Sequence, residues 1–377
     1  MKYYLIAGEA SGDLHASHLM EELKKQDPAA RFRCWGGDLM KGQGGELVRH
    51  YRDLAFMGFF EVLVHLRTIS ANLRFCKKDL LSWRPDVLIL VDYPGFNLRI
   101  ASFAKQHGFR VFYYISPQIW AWHSSRVRVI RKNVERMFVI LPFEKEFYAR
   151  HDYPVDFVGH PLLDVIPEQP GPPLREADPD DPAAGDKPLI ALLPGSRKQE
   201  IRLMLEVMLK VLPRFPGYRF VVAGAPSVPA EYYAALIQSL PVKVVFNKTY
   251  ELLRCAQAAL VTSGTATLET ALMKVPQVVC YKGNPLSYLL ARQLVHVDFI
   301  SLVNLVMGRE IVRELIQGDL TPVKLTQALG EILTDEAGKA RLQQDYRELR
   351  IKLGGPGASA KTASLMINYL TPKPLNP

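Results

Sequence analysis

Three turns rich in small residues have the composition of phosphate-binding turns. Each follows a short apolar run and precedes a helical pattern: Gly-Glu-Ala-Ser-Gly-Asp at 8–13, Pro-Gly-Ser-Arg at 194–197 and Ser-Gly-Thr-Ala-Thr-Leu-Glu at 263–269. Backbone N–H groups are free at the start of a helix, where the helix dipole favours an anion. Because such turns occur in both halves of the chain, the sequence predicts an enzyme that acts on a phosphorylated substrate between two nucleotide-type domains.

Asp92 is the candidate general base. It follows the apolar run 86–91, and ligands of open α/β sheets bind outside the carboxyl ends of the strands. A carboxylate at that place can accept the proton of an attacking hydroxyl. Alternatively, Asp92 stabilises the turn before Pro94. Spacing alone leaves both interpretations open.

The second and third turns carry side chains suited to a diphosphate. Arg197 could neutralise charge on a leaving group, or could pair with Glu200. The 263–265 segment could offer hydroxyl and N–H groups to a diphosphate, and Glu269 could accept hydrogen bonds from ribose hydroxyls. The alternative for both is an ordinary capped helix.

Two further segments could contact the rest of the substrate. The loop 116–123 holds two tryptophans after a strand-like run, and could line a sugar or acyl pocket or cover the sheet edge. Residues 54–64 are strongly apolar and are followed by a basic run. They could form a buried helix, or an apolar surface for acyl chains or a membrane interface with basic residues facing anionic headgroups.

Composition narrows the class of protein. The 377 residues carry a formal net charge of +9, and no nucleic-acid-binding motif accompanies that charge. The four cysteines lie far apart and the histidines lack metal-ligand spacing, so we predict reduced thiols and no metal site. No apolar run reaches the ~20 residues that a membrane span requires, and the N-terminus lacks a signal-peptide pattern. We therefore expect a protein that is neither secreted nor membrane-spanning.

The elements that must position these residues alternate between strand-like runs and helical patterns. This alternation predicts parallel sheets with helices on both faces. We expect an N-terminal Rossmann-like domain at 1–166, a linker rich in Pro and Asp at 167–187, a second Rossmann-like domain at 188–345 and a helical tail at 346–377.

The ordered set of motifs resembles the lipid-A-disaccharide synthases, a bacterial family of inverting glycosyltransferases. The resemblance runs from about residue 3 to about residue 350. Its motifs lie at 8–13, 57–63, 116–122, 141–144, 157–161, 192–197 and 263–269, with Asn304 inside 301–305. It implies an α/β fold of the GT-B type, in which two doubly wound Rossmann-like domains face a central cleft.

The resemblance also implies a reaction and its residues. A 2,3-diacylglucosamine unit passes from its UDP donor to the 6-hydroxyl of 2,3-diacylglucosamine 1-phosphate (lipid X), with inversion to a β-1,6 linkage. Asp92 would be the base, Glu9 an essential acid, and Arg197 the residue that stabilises the leaving diphosphate. The implied substrate- and UDP-binding set is Ser11, Gly12, Gly195, Ser196, Glu200, Ser263, Gly264, Thr265, Glu269, Tyr281 and Asn304. The candidate acceptor or acyl pocket comprises Met57, Phe60, Gln118 and Trp120.

The same resemblance implies no cofactor, no metal and no nucleic-acid partner. It implies a homodimer that exchanges C-terminal elements, attached peripherally to the cytoplasmic face of the inner membrane in a Gram-negative bacterium. Some members have an acidic residue where this chain has Gly95, which leaves Asp92 as the sole base at that strand end. A UDP-sugar epimerase of the same fold, a non-catalytic nucleotide- or lipid-binding protein and a peripheral membrane scaffold are the alternatives.

Overall fold

The computed structural model describes residues 1–53, 66–122, 126–166, 187–283 and 298–371. The chain forms two compact units, Met1–Asp164 together with Leu353–Pro377, and Val165–Lys352. The expected boundary at 345 is therefore displaced. One continuous helix runs through it from Glu336 to Lys352 and buries Tyr346 and Leu349, so the second unit ends only where that helix ends.

The first unit is built on a seven-stranded parallel sheet in the order β3-β2-β1-β4-β5-β6-β7. Strands β1 and β4 lie at its centre, and their residues are almost all buried because helices cover both faces. The strands are β1 Lys2–Ala7, β2 Arg31–Gly36, β3 Glu46–His50, β4 Val87–Val91, β5 Val111–Tyr114, β6 Arg136–Val139 and β7 Asp156–Phe157.

The chain leaves the centre of this sheet in one direction and returns to continue in the other. The strand order therefore reverses between β1 and β4, which is the point where ligands bind in doubly wound sheets. The helices are α1 Ala10–Gln26, α2 Asp38–Gly42, α3 Leu66–Trp83, α4 Pro94–Gln106, α5 Ile119–Trp122, α6 Arg126–Asn133, α7 Pro142–Ala149 and α8 Leu162–Val165.

The second unit repeats this plan with a six-stranded parallel sheet in the order β10-β9-β8-β11-β12-β13. Its order reverses between β8 and β11. The strands are β8 Leu189–Leu193, β9 Arg219–Gly224, β10 Val242–Phe246, β11 Ala256–Thr262, β12 Gln277–Tyr281 and β13 Arg313–Ile316. The helices are α9 Lys198–Leu209, α10 Ala230–Ile237, α11 Thr249–Cys255, α12 Thr265–Leu272, α13 Leu302–Met307, α14 Pro322–Thr334 and α15 Glu336–Lys352.

The last helix, α16 (Ala358–Leu370), returns to the first unit and packs on α1. The Asp164 carboxylate accepts hydrogen bonds from the backbone N–H groups of Gly357 at 2.6 Å, Ser359 at 2.9 Å and Ala358 at 3.2 Å. At the other end of α16, the Arg110 guanidinium donates to the Tyr369 carbonyl at 2.7 Å. The helix is thus attached at both termini within its own chain.

Among the described residues, no helix combines the length and the apolar character that crossing a bilayer demands.

Replacing Asp164 with Ala should loosen α16, because three N–H groups at the start of the helix lose their acceptor. We expect a loss of about 1–2 kcal/mol of local stability, the usual size of a capping effect. Hydrogen exchange of the segment 358–370 measures it directly and should become faster. Glu21→Ala, at an exposed site on α1, is the control and should leave exchange unchanged. Equal exchange rates in Asp164→Ala and the unmodified protein would contradict the capping role.

Candidate active site

In the first unit, the parallel pairing of β1 with β4 brings two acidic residues to one sheet edge. Ala7 lies opposite Val91, so Glu9 and Asp92 both follow the carboxyl ends of neighbouring strands. The two segments approach closely: a Cβ atom at Gly8 would lie 2.3 Å from Cγ of Tyr93. Only glycine fits there, which explains why the first turn begins with it.

The backbone at Asp92 is strained and held by its neighbours. Asp92 has φ 43° and Tyr93 has φ 51°, a left-handed conformation that is unfavourable for both residue types. The fully buried Asn97 side chain donates from Nδ2 to the Asp92 carbonyl at 2.7 Å, and the Tyr113 hydroxyl donates to the same oxygen. These bonds fix the direction in which the strand ends and the Asp92 side chain leaves it.

The Asp92 carboxyl has an unusual pKa. Burial is the main cause and raises the pKa of Asp92 to about 7, and the negative charge of Glu9 adds to the rise. A hydrogen bond from the Tyr93 N–H lowers it in part. This bond to the next residue is neither a helix cap nor an Asx turn, since α4 begins without a side-chain cap and Pro94 has no N–H to donate. A carboxyl with a pKa near neutrality, still partly accessible, suits proton abstraction at physiological pH.

The remaining residues of the first turn have different roles. Asp13 is buried, and its carboxylate accepts from the N–H groups of Gly37 at 2.7 Å, Met40 at 3.1 Å and Leu39 at 3.2 Å, so it joins α1 to α2. Gly12 is buried where a Cβ atom would lie 3.1 Å from that of Ala7, so it allows α1 to pack on β1. Ser11 is exposed at the start of α1.

The loop after β5 holds the described part of the candidate acceptor pocket. Gln118 is exposed, and Trp120 packs edge-on against Phe143 with ring centroids 4.9 Å apart. Next to it the buried Ser116 hydroxyl lies 2.8 Å from the Tyr148 hydroxyl. The other two predicted pocket residues, Met57 and Phe60, lie outside the described residues.

Glu144 is a buried carboxyl beside this loop that the sequence indicated only as part of a motif. Its Oε2 accepts from the N–H groups of Leu141 at 2.9 Å and Ile140 at 3.2 Å, and so satisfies two backbone donors at the start of α7. Burial raises the pKa of Glu144 to about 8, while the Trp120 and Ser116 side chains lower it. The spacing of Glu144 two residues after Pro142 was the available signal, since a Glu at the third helical position can reach back to the N–H of the residue before the helix.

In the second unit, the predicted diphosphate residues also lie on neighbouring strand ends. Leu193 pairs with Val261, so the turn 194–197 and the turn 263–265 are adjacent at the sheet edge. Gly195 has φ 108°, and a Cβ atom there would lie 3.0 Å from Oε2 of Glu200. Ser196 is exposed. The parallel pairing of β8 with β11 is therefore enough to place these two turns side by side.

Arg197 forms the ion pair that the sequence offered as an alternative. Its guanidinium lies 3.7 Å from Glu200 Oε1, and its side chain is 58% exposed. An exposed pair of this length contributes little to stability. Arg197 would therefore lose little free energy if it left Glu200 to bind a phosphate oxygen.

In the third turn, Gly264 and Thr265 are exposed residues, and α12 begins at Thr265. Glu269, one turn further on, accepts a hydrogen bond from the Tyr250 hydroxyl at 2.9 Å, and burial raises the pKa of Glu269. Tyr250 escaped sequence reasoning because nothing in its local pattern links it to Glu269. Tyr281 ends β12, the next strand of the sheet.

Asn304 is fully buried and its side chain is occupied by the protein. Nδ2 donates to the Val312 carbonyl and to Glu314 Oε1, both at 2.8 Å. Oδ1 accepts from the N–H groups of Ile311 at 2.8 Å and Val312 at 3.1 Å. A direct contact of Asn304 with UDP stays a prediction, and some of these bonds must open for the contact to form.

No group of three or more His, Cys, Asp or Glu side chains within the described ranges has an arrangement that could hold a metal ion.

Two doubly wound parallel sheets with candidate residues on their carboxyl edges define the class, an α/β protein of the GT-B type. Solved structures share this fold. The UDP-GlcNAc 2-epimerase of Neisseria meningitidis bound to UDP-GlcNAc has a TM-score of 0.68 at 11% identity, covering 98% of this chain and 100% of that chain. The glycosyltransferase of kitacinnamycin has a TM-score of 0.65 at 18% identity, covering 98% and 99%. Identities this low establish the fold alone.

Sequence similarity identifies the family. The family model of lipid-A-disaccharide synthetase matches residues 3–368. The lipid-A-disaccharide synthase of Syntrophus aciditrophicus strain SB is 40% identical over 380 residues, 97% of each chain. The chain belongs to the lipid-A-disaccharide synthase family and is a glycosyltransferase. This confirms the resemblance seen in the motifs. It speaks against the epimerase and the non-catalytic alternatives.

Replacing Glu9 with Gln should lower the pKa of Asp92. The charge of Glu9 opposes ionisation of Asp92, so its removal lets Asp92 lose its proton at a lower pH. Carboxyl carbon NMR should show the Asp92 titration near pH 7 in the unmodified protein and below that in Glu9→Gln. Glu21→Gln, at an exposed site on α1, should leave the midpoint in place. An unchanged midpoint in Glu9→Gln would refute the coupling.

Proposed function

We propose that this chain transfers 2,3-diacylglucosamine from its UDP donor to the 6-hydroxyl of 2,3-diacylglucosamine 1-phosphate, with Asp92 as the general base. The products are the β-1,6-linked disaccharide 1-phosphate and UDP. Membership of the lipid-A-disaccharide synthase family supports the reaction. The observation that supports the base is the strained, partly accessible Asp92, whose pKa of about 7 is maintained by burial and by Glu9.

The first unit supplies the proton acceptor. The oxygen of the acceptor 6-hydroxyl forms a bond to the anomeric carbon of the donor sugar on the face opposite UDP, which inverts the configuration. The hydroxyl proton passes to the Asp92 carboxylate. The bond between the anomeric carbon and the diphosphate oxygen breaks, and its electron pair leaves with UDP. Because its pKa is raised to about 7, Asp92 is a stronger base than an ordinary aspartate, and its carboxylate form is populated at neutral pH.

The second unit stabilises the leaving group. The guanidinium of Arg197 and the N–H groups at the start of α12, near Gly264 and Thr265, stabilise the charge that develops on the diphosphate, and their positions at two helix N-termini support this role. Glu269 accepts hydrogen bonds from the ribose, with Tyr250 fixing the orientation of its carboxyl. The remaining members of the predicted UDP-binding set in this unit are Gly195, Ser196, Glu200, Ser263, Tyr281 and Asn304. Two further members, Ser11 and Gly12, belong to the first unit.

The Asp92→Asn variant tests the base. We expect disaccharide formation to fall by about 10²–10⁴-fold, the usual contribution of a general base, while UDP binding is kept. Product formation is measured from both acylated substrates in the presence of EDTA. Asp152→Asn is a matched control, since Asp152 is an exposed aspartate of the same unit with φ 51°, and it should be fully active.

The outcomes separate the base from the reaction as a whole. Parallel loss of transfer and UDP binding in Asp92→Asn would contradict the base assignment. No product from the unmodified protein with both substrates would contradict the proposed reaction, and inhibition by EDTA would contradict its independence of divalent metals.

A basic face on the first unit supports peripheral binding to an anionic membrane. Helix α4 packs against both α3 and α6. Helices α3 and α6 carry four basic residues each, and α4 carries two. Asp79 is the single acidic residue of the three helices. Asp79 is already bound to Arg33, at 2.7 Å between Oδ1 and the guanidinium. These helices therefore present ten basic residues against one acidic residue.

Apolar side chains are exposed among these charges. Phe75 and Leu81 on α3 are each 42% exposed, and Val129 on α6 is 38% exposed. Basic and apolar groups together are what the headgroup region of an anionic bilayer attracts. We propose that this face touches the cytoplasmic side of the inner membrane, where the acylated substrates would lie. A homodimer stays a prediction of the resemblance.

A triple variant on α6 tests membrane binding. Arg128→Ala, Arg131→Ala and Lys132→Ala together should weaken binding to vesicles containing phosphatidylglycerol by about 100-fold, since each basic residue near such a surface is worth about 1 kcal/mol. The control replaces three exposed bases of the second unit, Lys210, Lys324 and Arg341, with Ala. Equal losses in both triple variants, or binding that is insensitive to salt, would refute the proposed face.

A further inference from the structure

A carboxylate on β13 organises the segment next to the third turn. Glu314 accepts four hydrogen bonds. Its Oε2 accepts from the Ile300 N–H at 2.9 Å. Its Oε1 accepts from the Ser301 N–H at 3.0 Å, the Ser301 hydroxyl at 2.7 Å and Asn304 Nδ2 at 2.8 Å. Bonds to an ionised acceptor are stronger than neutral ones, so this carboxylate is a strong attachment point for residues 300–304.

The same segment is bonded to the candidate UDP-binding turn. The Ser263 hydroxyl donates to the Ile300 carbonyl at 2.8 Å, and the Ser263 N–H donates to the Cys280 carbonyl at 3.1 Å. Ile300 is therefore held on both sides, with Ser263 on its carbonyl and Glu314 on its N–H. A continuous path of hydrogen bonds leads from Glu314 to the residue that opens the turn.

The path has a rigid support at its other end. Ser301 caps α13, because its hydroxyl also accepts from the Asn304 N–H at 3.2 Å. Asn304 in turn bonds to the backbone just before β13, at Ile311 and Val312. Glu314 thus lies where two buried side chains and two backbone N–H groups converge. Its loss would free several donors at once.

We propose that Glu314 is a positioning residue for nucleotide binding, which acts through Ile300 and Ser263 on the turn 263–265 and does not itself touch UDP. The proposal rests on the proposed function, since it takes that turn to bind the UDP diphosphate. Groups that bind a diphosphate must be held in place before the ligand arrives, because ordering them afterwards lowers affinity. Glu314 fixes the position of the turn 263–265 through Ile300 and Ser263, although it lies outside the UDP contacts.

The test compares Glu314→Gln with Glu310→Gln. The amide keeps the shape of Glu314 but loses its charge and presents N–H groups to donors. We expect the affinity for UDP, measured by calorimetry, to fall about tenfold, the loss expected when one charge-assisted hydrogen bond is impaired. KM for the UDP donor should rise to match, while kcat and the KM for the acceptor stay within about twofold. Glu310, 48% exposed on the same segment, should tolerate the change.

Three results would overturn the proposal. One is unchanged UDP affinity in a folded Glu314→Gln protein. Another is a fall in kcat with UDP affinity intact, and the third is an equal rise of both KM values. Failure of the unmodified protein to bind UDP would instead refute the proposed function, so the two failures are distinguishable.

A double-mutant cycle tests the path itself. If Glu314 acts through Ser263, then Ser263→Ala combined with Glu314→Gln should weaken UDP binding by less than the product of the two single effects. Independent, multiplicative effects would overturn the proposed route. Should Glu314→Gln fail to fold, Ser301→Ala removes one of the four bonds and should give a smaller loss of UDP affinity in a folded protein. No loss in Ser301→Ala would then count against the proposal.

Discussion

The parallel pairing of β1 with β4 is the constraint on which the first unit depends. It places Ala7 opposite Val91, and so determines that Glu9 and Asp92 leave the sheet side by side. The left-handed backbone at Asp92 is unfavourable by itself and persists because Asn97 and Tyr113 bond to its carbonyl. The raised pKa of Asp92 follows from this placement, since it results from burial and from the nearby charge of Glu9.

The second unit uses the same topology for the opposite electrostatic purpose. Its strand ends bring a guanidinium and the N-terminus of a helix to the sheet edge, where the first unit places Glu9 and Asp92. Arg197 stands at the start of α9, and Gly264 and Thr265 stand at the start of α12. A helix N-terminus attracts the charge of a diphosphate. In the proposed reaction, one fold therefore serves for a base in one unit and for anion binding in the other, and the difference lies in the residues that follow the strands.

The sequence predicted most of the fold because its buried strands form continuous apolar runs, and it singled out Asp92 as the candidate base because that residue directly follows one of them. Long-range partners could not be predicted. Asp164 bonds to the start of α16, and Glu314 bonds to residues 300–304, although no local pattern joins either pair. For the same reason the return of residues after Lys352 to the first unit was unforeseen. The role of Asn304 within this network was likewise invisible, since its partners lie beyond its own helix.

Glu144 and Asp92 show that a raised pKa does not by itself identify a catalytic carboxyl. Both owe the shift mainly to burial, and the pKa of Glu144, about 8, is the higher one. Glu144 is 1% exposed, and its Oε2 accepts from two backbone N–H groups. No substrate reaches it, and its carboxyl stabilises the start of α7. Asp92 is partly accessible and lies at the sheet edge beside a second acid. Accessibility, together with the position at the reversal of strand order, therefore supports the proposed proton transfer to Asp92, whereas burial gives Glu144 a structural role.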